Sequence, residues 1–309
     1  MATLHTAYEM IRDTVSQFLA DQGPRLGAAL AFYVVLSLAP LLLVVAGIAG
    51  LIFGEAAASG ELVNQFRDLM GDEGAKVAET ALASGKSKTG GVLSTVIGVV
   101  ILLVGSTGVF AELQGALNAV WNVPERKSTG QGVWQSVWQL VRERLLSFSM
   151  VCGLAFLLLV SLVLSALLAG LNGWLGEQFG ITAGLGVTNF LVSLVLAAVL
   201  FAVIFKVLPD ARVGWRSVWV GAVATAALFN LGKFLIGLYL GKAAVGSAFG
   251  AAGSLVVLIV WVYYSTQLML LGAEFTQVYA LRYGHGVRYP GQVADEPPRM
   301  TQTPTPAPA

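Results

Sequence analysis

Long apolar runs separated by short polar segments make up most of this chain. Six of them reach about 20 residues, the length that a helix needs to cross a bilayer core of about 30 Å. They lie at about 26–53, 91–111, 145–170, 181–208, 215–240 and 253–280. Because the runs are continuously apolar and do not alternate, they favour membrane-spanning helices over barrel strands. The pattern predicts an all-α, polytopic membrane protein built as a bundle of six transmembrane helices.

Three segments outside these runs carry apolar residues at helical spacing, which predicts amphipathic helices. Their apolar stripes are Leu4, Tyr8, Ile11, Val15 and Phe18 in the first, Leu62, Phe66 and Leu69 in the second, and Trp134, Trp138, Val141 and Leu145 in the third. Such a helix lies in the membrane interface when its apolar face meets lipid, or packs on an end of the bundle when that face meets protein. The spacing leaves both arrangements open.

The composition agrees with a chain that folds in an apolar solvent. Hydrophobic residues make up 56% of the 309 residues and charged residues only 11%, against about 25% charged in soluble domains. This imbalance excludes an ordinary cytosolic enzyme, a disordered chain and a coiled coil. The net charge of +1 indicates no nucleic-acid partner. The single cysteine, Cys152, has no partner for a disulfide within the chain.

The distribution of Lys and Arg predicts an orientation, since cytoplasmic loops of membrane proteins are enriched in both residues. If the N-terminus is cytoplasmic, 12 of the 18 Lys and Arg residues lie on that side and five on the other. Both termini are therefore expected in the cytoplasm. The predicted parts are a cytoplasmic amphipathic helix at 1–25, a membrane domain at 26–282 with an extracytoplasmic helical loop at 54–90, and a disordered, proline-rich cytoplasmic tail at 283–309.

Ionisable residues inside the apolar runs are costly in lipid and are therefore functional candidates. Lys233 lies about 27 Å into the fifth run, whereas Glu274 lies about 9 Å from the cytoplasmic end of the sixth, at 1.5 Å per residue. A direct pair between them is not expected. Glu274 is better placed to meet Lys206 or Glu112. The structural alternatives are that Lys233 extends to the headgroups and that Glu274 forms a buried ion pair or cap.

Pro40 lies within the first run and predicts a kink, because proline lacks a backbone donor and crowds the preceding turn. Tyr33 and Ser37 share its face at helical spacing. In the same way Asn230 shares a face with Lys233, and Tyr263 and Gln267 share a face with Glu274. The candidates for a cavity or gate are therefore Tyr33, Ser37, Pro40, Glu112, Lys206, Asn230, Lys233, Tyr263, Gln267 and Glu274.

The sequence offers no recognisable catalytic constellation. His5 and His285 lie outside the runs, near opposite ends of the chain. Sequence patterns for zinc hydrolases, redox dithiols, phosphate-binding loops and nucleophile elbows do not occur. We therefore expect no enzyme activity, no cofactor, and neither catalytic nor metal-binding residues.

Several motifs together resemble a known family. They are ALAFY at 29–33 continuing through LSLAPLL at 36–42, ALNAVW at 116–121, KVLP at 206–209, GA at 221–222, GA at 250–251, WVYY at 261–264 and GAE at 272–274. In combination they are similar to the YihY/BrkB family of bacterial inner-membrane proteins, over about residues 10–282. The resemblance implies a six-span helical bundle in the cytoplasmic membrane.

The same family has carried two functional labels, ribonuclease BN and a virulence factor for serum resistance. The sequence contains neither a metal-ligand cluster nor a basic RNA-binding surface, so we reject the ribonuclease. One remaining hypothesis is transport or handling of a lipid-like amphiphile or small solute through a polar cavity in the bundle. The other is a non-catalytic scaffold for cell-envelope machinery. The expected partners are membrane lipids, with envelope proteins in the second case, and the oligomeric state is left open.

Overall fold

The computed structural model describes residues 2–86, 108–124, 183–242 and 253–284. All regular elements within these ranges are α-helices, so the all-α class is confirmed there. In chain order they are α1 (Ala2–Ala20), α2 (Gly23–Phe53), α3 (Glu55–Met70), α4 (Asp72–Lys86), α5 (108–120), α6 (Ala183–Val207), α7 (Trp215–Lys242) and α8 (Gly253–Tyr283).

Helices occupy four of the six predicted spans, at α2, α6, α7 and α8. The runs at 91–111 and 145–170 lie largely or wholly outside the described residues, so six spans stay a prediction. By length and composition, α8 is apolar enough to cross a membrane within the described part, and α2 qualifies if its two bent halves form one span. The apolar part of α6, Ser193–Val207, is shorter. The tail beyond residue 284 and the stripe at 134–145 also lie outside the described residues.

The α2 helix bends where the sequence predicts a kink. Its segments Gly23–Ala39 and Leu41–Gly47 meet at 42°, with Pro40 between them. A missing amide donor at this position explains the break in the helix axis. Ser37, one turn earlier, is buried and donates its hydroxyl to the carbonyl of Val34 at 3.1 Å.

The main hydrophobic core lies where α5, α6, α7 and α8 meet. Trp121 and Phe205 are its largest fully buried side chains. At the same end of the bundle, Asp210 follows α6 and accepts a hydrogen bond from the Asn118 amide at 3.0 Å, while its backbone amide donates to the Asn118 oxygen at 2.9 Å. This reciprocal contact joins α5 to the connection between α6 and α7.

The α7 and α8 helices approach closely through a reciprocal pair of glycines and threonines. A Cβ on Gly221 would collide with Thr276, and a Cβ on Gly272 would collide with Thr225. Each threonine hydroxyl donates to the glycine carbonyl one turn earlier in its own helix, both at 2.7 Å. Small residues at such a crossing let two membrane helices pack backbone to backbone.

The α1 helix packs partly on the bundle and leaves part of its apolar stripe exposed. Glu9 forms an ion pair with Arg282 near the end of α8, and Phe18 packs against the main core. The exposed members of the stripe are Tyr8, Ile11 and Val15. In the second predicted stripe, Leu62 is buried against α2 and Phe66 packs beside it, so bundle packing is the arrangement seen there.

Candidate functional site

The connection between α1 and α2 is a tight corner that holds an acidic residue. The amide of Asp21 bonds to the carbonyl of Gln17 at 2.8 Å, and Gln22 then adopts a left-handed conformation with φ 57°. A Cβ on Gly23 would collide with the ring of Phe18. Pro24 lies in the first turn of α2, where its missing amide costs nothing. The Asp21 side chain is thereby held at the start of α2.

One face of α8 packs against this corner. The hydroxyl of Thr266 is shared between the carbonyl of Gly27 at 3.0 Å and the carbonyl of Tyr263 in its own helix at 2.7 Å. The amide of Gln267 donates to the carbonyl of Pro24 at 3.3 Å. The approach is close, because a Cβ on Gly27 would displace the end of the Gln267 side chain. The antiparallel packing of α2 and α8 therefore places residues 266–274 of α8 beside residues 21–27.

Glu274 lies two turns further along α8 and is completely buried. Neither of its oxygens has a donor partner within the part of the chain that the structure describes. The Asp21 carboxyl is its neighbouring ionisable group. Two carboxyl groups can share a hydrogen bond only while one of them carries a proton. We call Asp21 and Glu274 the carboxyl pair.

Three further buried acceptor oxygens lie on α1 and α8, the helices that carry or flank the carboxyl pair. The side-chain oxygens of Gln17 on α1, and of Gln267 and Gln277 on α8, are buried and have no hydrogen-bond partner within the described residues. Oxygen acceptors without donors favour a proton, a water molecule or a positively charged group. Among the described residues, no set of three His, Cys, Asp or Glu side chains is placed to hold a metal ion.

Burial at the corner raises the pKa of Asp21 above its ordinary value, and the hydrogen bond to Glu274 opposes this shift in part. A carboxyl with a raised folded-state pKa stabilises the fold below its unfolded pKa and loses that contribution as pH rises through the folded pKa. The contact between the corner and α8 should therefore be strongest in acid and weaker at neutral pH.

Asp21→Asn is expected to raise the thermal stability of the protein at neutral pH, because the amide carries no charge and can donate to Glu274. The gain should shrink as the pH falls toward about 4, since the raised pKa leaves more of Asp21 protonated in the parent protein as well. Thermal unfolding in detergent between about pH 4 and pH 8 measures both effects. A variant that is less stable than the parent at neutral pH would contradict this electrostatic account of the corner.

The structure places Glu274 beside Asp21, whereas the sequence suggested Lys206 or Glu112 as its neighbour. Lys206 instead donates to the carbonyl of Val213 at 2.5 Å and lies 5.3 Å from the ring centre of Trp215. It therefore stabilises the turn into α7. Glu112 is half-buried on α5.

The other candidates belong to different parts of the bundle. Asn230 donates to the carbonyl of Ala226 on α7 at 2.9 Å, and Lys233 on the same helix is half-buried. On α8, Tyr263 is partly exposed, with its carbonyl accepting from Thr266 at 2.7 Å. Tyr33 on α2 packs where a Cβ on Gly108 would collide with its ring, on the same helix as Ser37 and Pro40. The ten candidates do not converge on one site, and only Gln267 and Glu274 meet the corner.

The helical bundle contains a helix that is long and apolar enough to span a membrane, with a carboxyl buried within it. A comparison with known families identifies the family of the chain. The chain belongs to the BrkB family, whose description is "Virulence factor BrkB" and which matches residues 14–296.

The relatives of the chain are named as membrane proteins. The "UPF0761 membrane protein" of Alkalilimnicola ehrlichii is 27% identical over 282 residues, which cover 90% of this chain and 59% of the relative. Proteins of the same name from Delftia acidovorans and Tolumonas auensis are 34% identical over 86 residues and 37% identical over 71 residues. Those matches cover 28% and 23% of this chain, and 21% and 24% of the two relatives. The chain thus spans less than two thirds of each relative, and no solved structure matches it.

Proposed function

We propose that this protein transports or handles a lipid-like amphiphile or small solute, and that the carboxyl pair is the polar binding site on its path. The observation that carries the proposal is Glu274, a carboxyl that is fully buried without a donor partner among the described residues. An uncompensated carboxylate in a membrane helix is costly. If Glu274 served only to stabilise the bundle, an apolar or amide side chain in its place would give the protein a higher free energy of unfolding.

The chemistry of the site supports a cargo or co-substrate that brings donors. The acceptor oxygens around the carboxyl pair suit a proton, or an amine carried by an amphiphile or a small solute. The proposal places the protein in the bacterial inner membrane with both termini in the cytoplasm, because Lys and Arg are enriched on that side. The carboxyl pair then opens toward the cytoplasmic half of the membrane.

Glu274→Gln tests the proposal, because it removes the charge at nearly constant shape. In liposomes containing the purified protein, we expect movement of fluorescent phosphatidylethanolamine, or uptake of a fluorescent amphiphilic amine, to fall at least about tenfold. A loss of this size corresponds to about 1.4 kcal/mol of interaction with a charged group. Flipping is measured by quenching of the outer leaflet, and uptake by the dye retained in the vesicles.

Glu79→Gln is the matched control, since Glu79 is an exposed carboxylate on α4 and should leave both rates unchanged. Gel filtration and thermal unfolding verify that the Glu274→Gln protein folds. If the parent protein neither moves nor binds either probe, the proposal fails. In that event, copurification of a stable envelope protein would favour the scaffold hypothesis.

A further inference from the structure

The α3 and α4 helices form an antiparallel hairpin that turns at Gly71. Gly71 has φ 74°, a left-handed conformation that glycine adopts without strain. Its amide bonds to the carbonyl of Arg67 at 2.7 Å, and the amide of Ala75 bonds to the carbonyl of Gly71 at 3.2 Å. The turn is therefore compact, and the two helices run back along each other.

The hairpin packs lengthwise along α2 rather than above its end. Near the base of the hairpin, Leu62 and Leu82 are buried in one cluster with Leu42 and Val45 of α2. The α3 helix therefore runs back toward the beginning of α2 after the chain reverses at Gly54.

Near its tip the hairpin reaches the middle of the bundle. Met70 is buried in one cluster with Ala31 of α2 and with Leu258 and Val262 of α8. Val262 lies nine residues after Gly253, the first residue of α8, which corresponds to about 14 Å at 1.5 Å per residue. That distance is about half the thickness of a bilayer core. The tip thus lies near the depth of the bilayer centre if α8 enters the membrane at Gly253.

The tip also carries exposed charges. Arg67 pairs with Asp72 at 3.2 Å, and their side chains are 47% and 86% exposed. Lys76 pairs with Glu73 at 2.6 Å, and its side chain is 62% exposed. Exposed charges at this depth are tolerated only where they meet water, because lipid does not solvate them.

We infer that α3 and α4 form a re-entrant hairpin, and that its charged tip borders a water-filled vestibule which admits small hydrophilic solutes to the middle of the membrane. The vestibule opens on the side of the hairpin base, opposite to the end of α2 that holds the carboxyl pair. This inference goes beyond the proposed function, since a water-filled vestibule exists whether or not the protein moves a cargo.

Cysteine accessibility tests the vestibule in the full-length protein carrying Cys152→Ser. Lys76→Cys at the tip is compared with Ile259→Cys, an exposed apolar position on α8 one turn from Val262. We expect a membrane-impermeant, charged methanethiosulfonate reagent to modify the first cysteine at least about tenfold faster in membrane vesicles. Equal rates would overturn the vestibule.

Cross-linking tests the depth of the tip. Met70→Cys with Val262→Cys is expected to join through a short bis-thiol reagent, whereas Leu82→Cys with Val262→Cys is not. Absence of the first cross-link in folded protein, or equal yields for both pairs, would overturn the re-entrant arrangement. The rates at which Lys76→Cys and Ile259→Cys are modified are measured in separate variants, which do not carry these buried substitutions. A failure of liposome transport would leave both measurements unchanged, so the two proposals fail separately.

Discussion

Gly221→Ala is expected to lower the free energy of unfolding by about 1–3 kcal/mol, the usual cost of overpacking a close contact. The added Cβ would collide with Thr276, whose hydroxyl is committed to the Gly272 carbonyl. The clash involves the Cβ of Thr276 and both of its branches. A β-branched side chain is stiff, so α7 and α8 have to separate. Thermal unfolding in detergent, together with the yield of monodisperse protein, measures the loss.

Gly115→Ala is the matched control, because a Cβ there meets nothing within 4 Å. In a helix this change is expected to be neutral or to stabilise by up to about 1 kcal/mol, through the better helix propensity of alanine. Combining Gly221→Ala with Thr276→Gly moves the side chain from one helix to the other and should recover much of the loss. If Gly221→Ala is as mild as Gly115→Ala, the close crossing of α7 and α8 is wrong.

Trp121→Ala is expected to cost about 3–5 kcal/mol, the range for removing a buried aromatic side chain. Trp121 is fully buried in the main core, together with Phe205 and Leu117. The cavity would open at the junction of α5 with the α6–α7 connection, next to the Asn118–Asp210 contact. We therefore expect a large fall in the unfolding temperature and lower amounts of protein in the membrane.

Trp219→Ala provides the comparison, since it makes the same chemical change at an exposed position of α7. It should change the unfolding temperature much less, because no packed cavity is created. Trp121→Phe should lie between the two, since it retains most of the buried area. Equal effects of Trp121→Ala and Trp219→Ala would show that Trp121 is not a core residue.

The features that the sequence could predict are those that depend on the chemistry of a single residue. The kink at Pro40 follows from a missing amide, so it needs no knowledge of neighbouring helices. Glu274 stands out because a carboxyl in an apolar run is rare.

The neighbours of these residues were not predictable, because they depend on how helices are arranged around the bundle. Counting residues from a span end gives the depth of Lys206 and Glu274 but not the direction in which either side chain points. The structure separates them and brings Asp21 to Glu274. Asp21 gave no signal in the sequence, since an acidic residue in a polar connection between two helices is ordinary.

The α3–α4 hairpin shows the same limit. Its charges and its glycine breaks are typical of a loop outside the membrane. Its return along α2 depends on Leu62 and Met70 meeting side chains that lie far away in the sequence. Amphipathic spacing identified Leu62 as part of an apolar face, but the same spacing serves a helix on lipid and a helix on protein.

The ion pair between Glu9 and Arg282 constrains the topology of the whole chain. Glu9 precedes every predicted span, and Arg282 follows the last one. The ion pair holds these two residues at the same end of the bundle. A polypeptide that starts and finishes on one side of a bilayer has crossed it an even number of times. Six crossings are an even number and five are not. A re-entrant hairpin adds no crossing. Disulfide trapping of Glu9→Cys with Arg282→Cys would fix the parity without resolving any further helix.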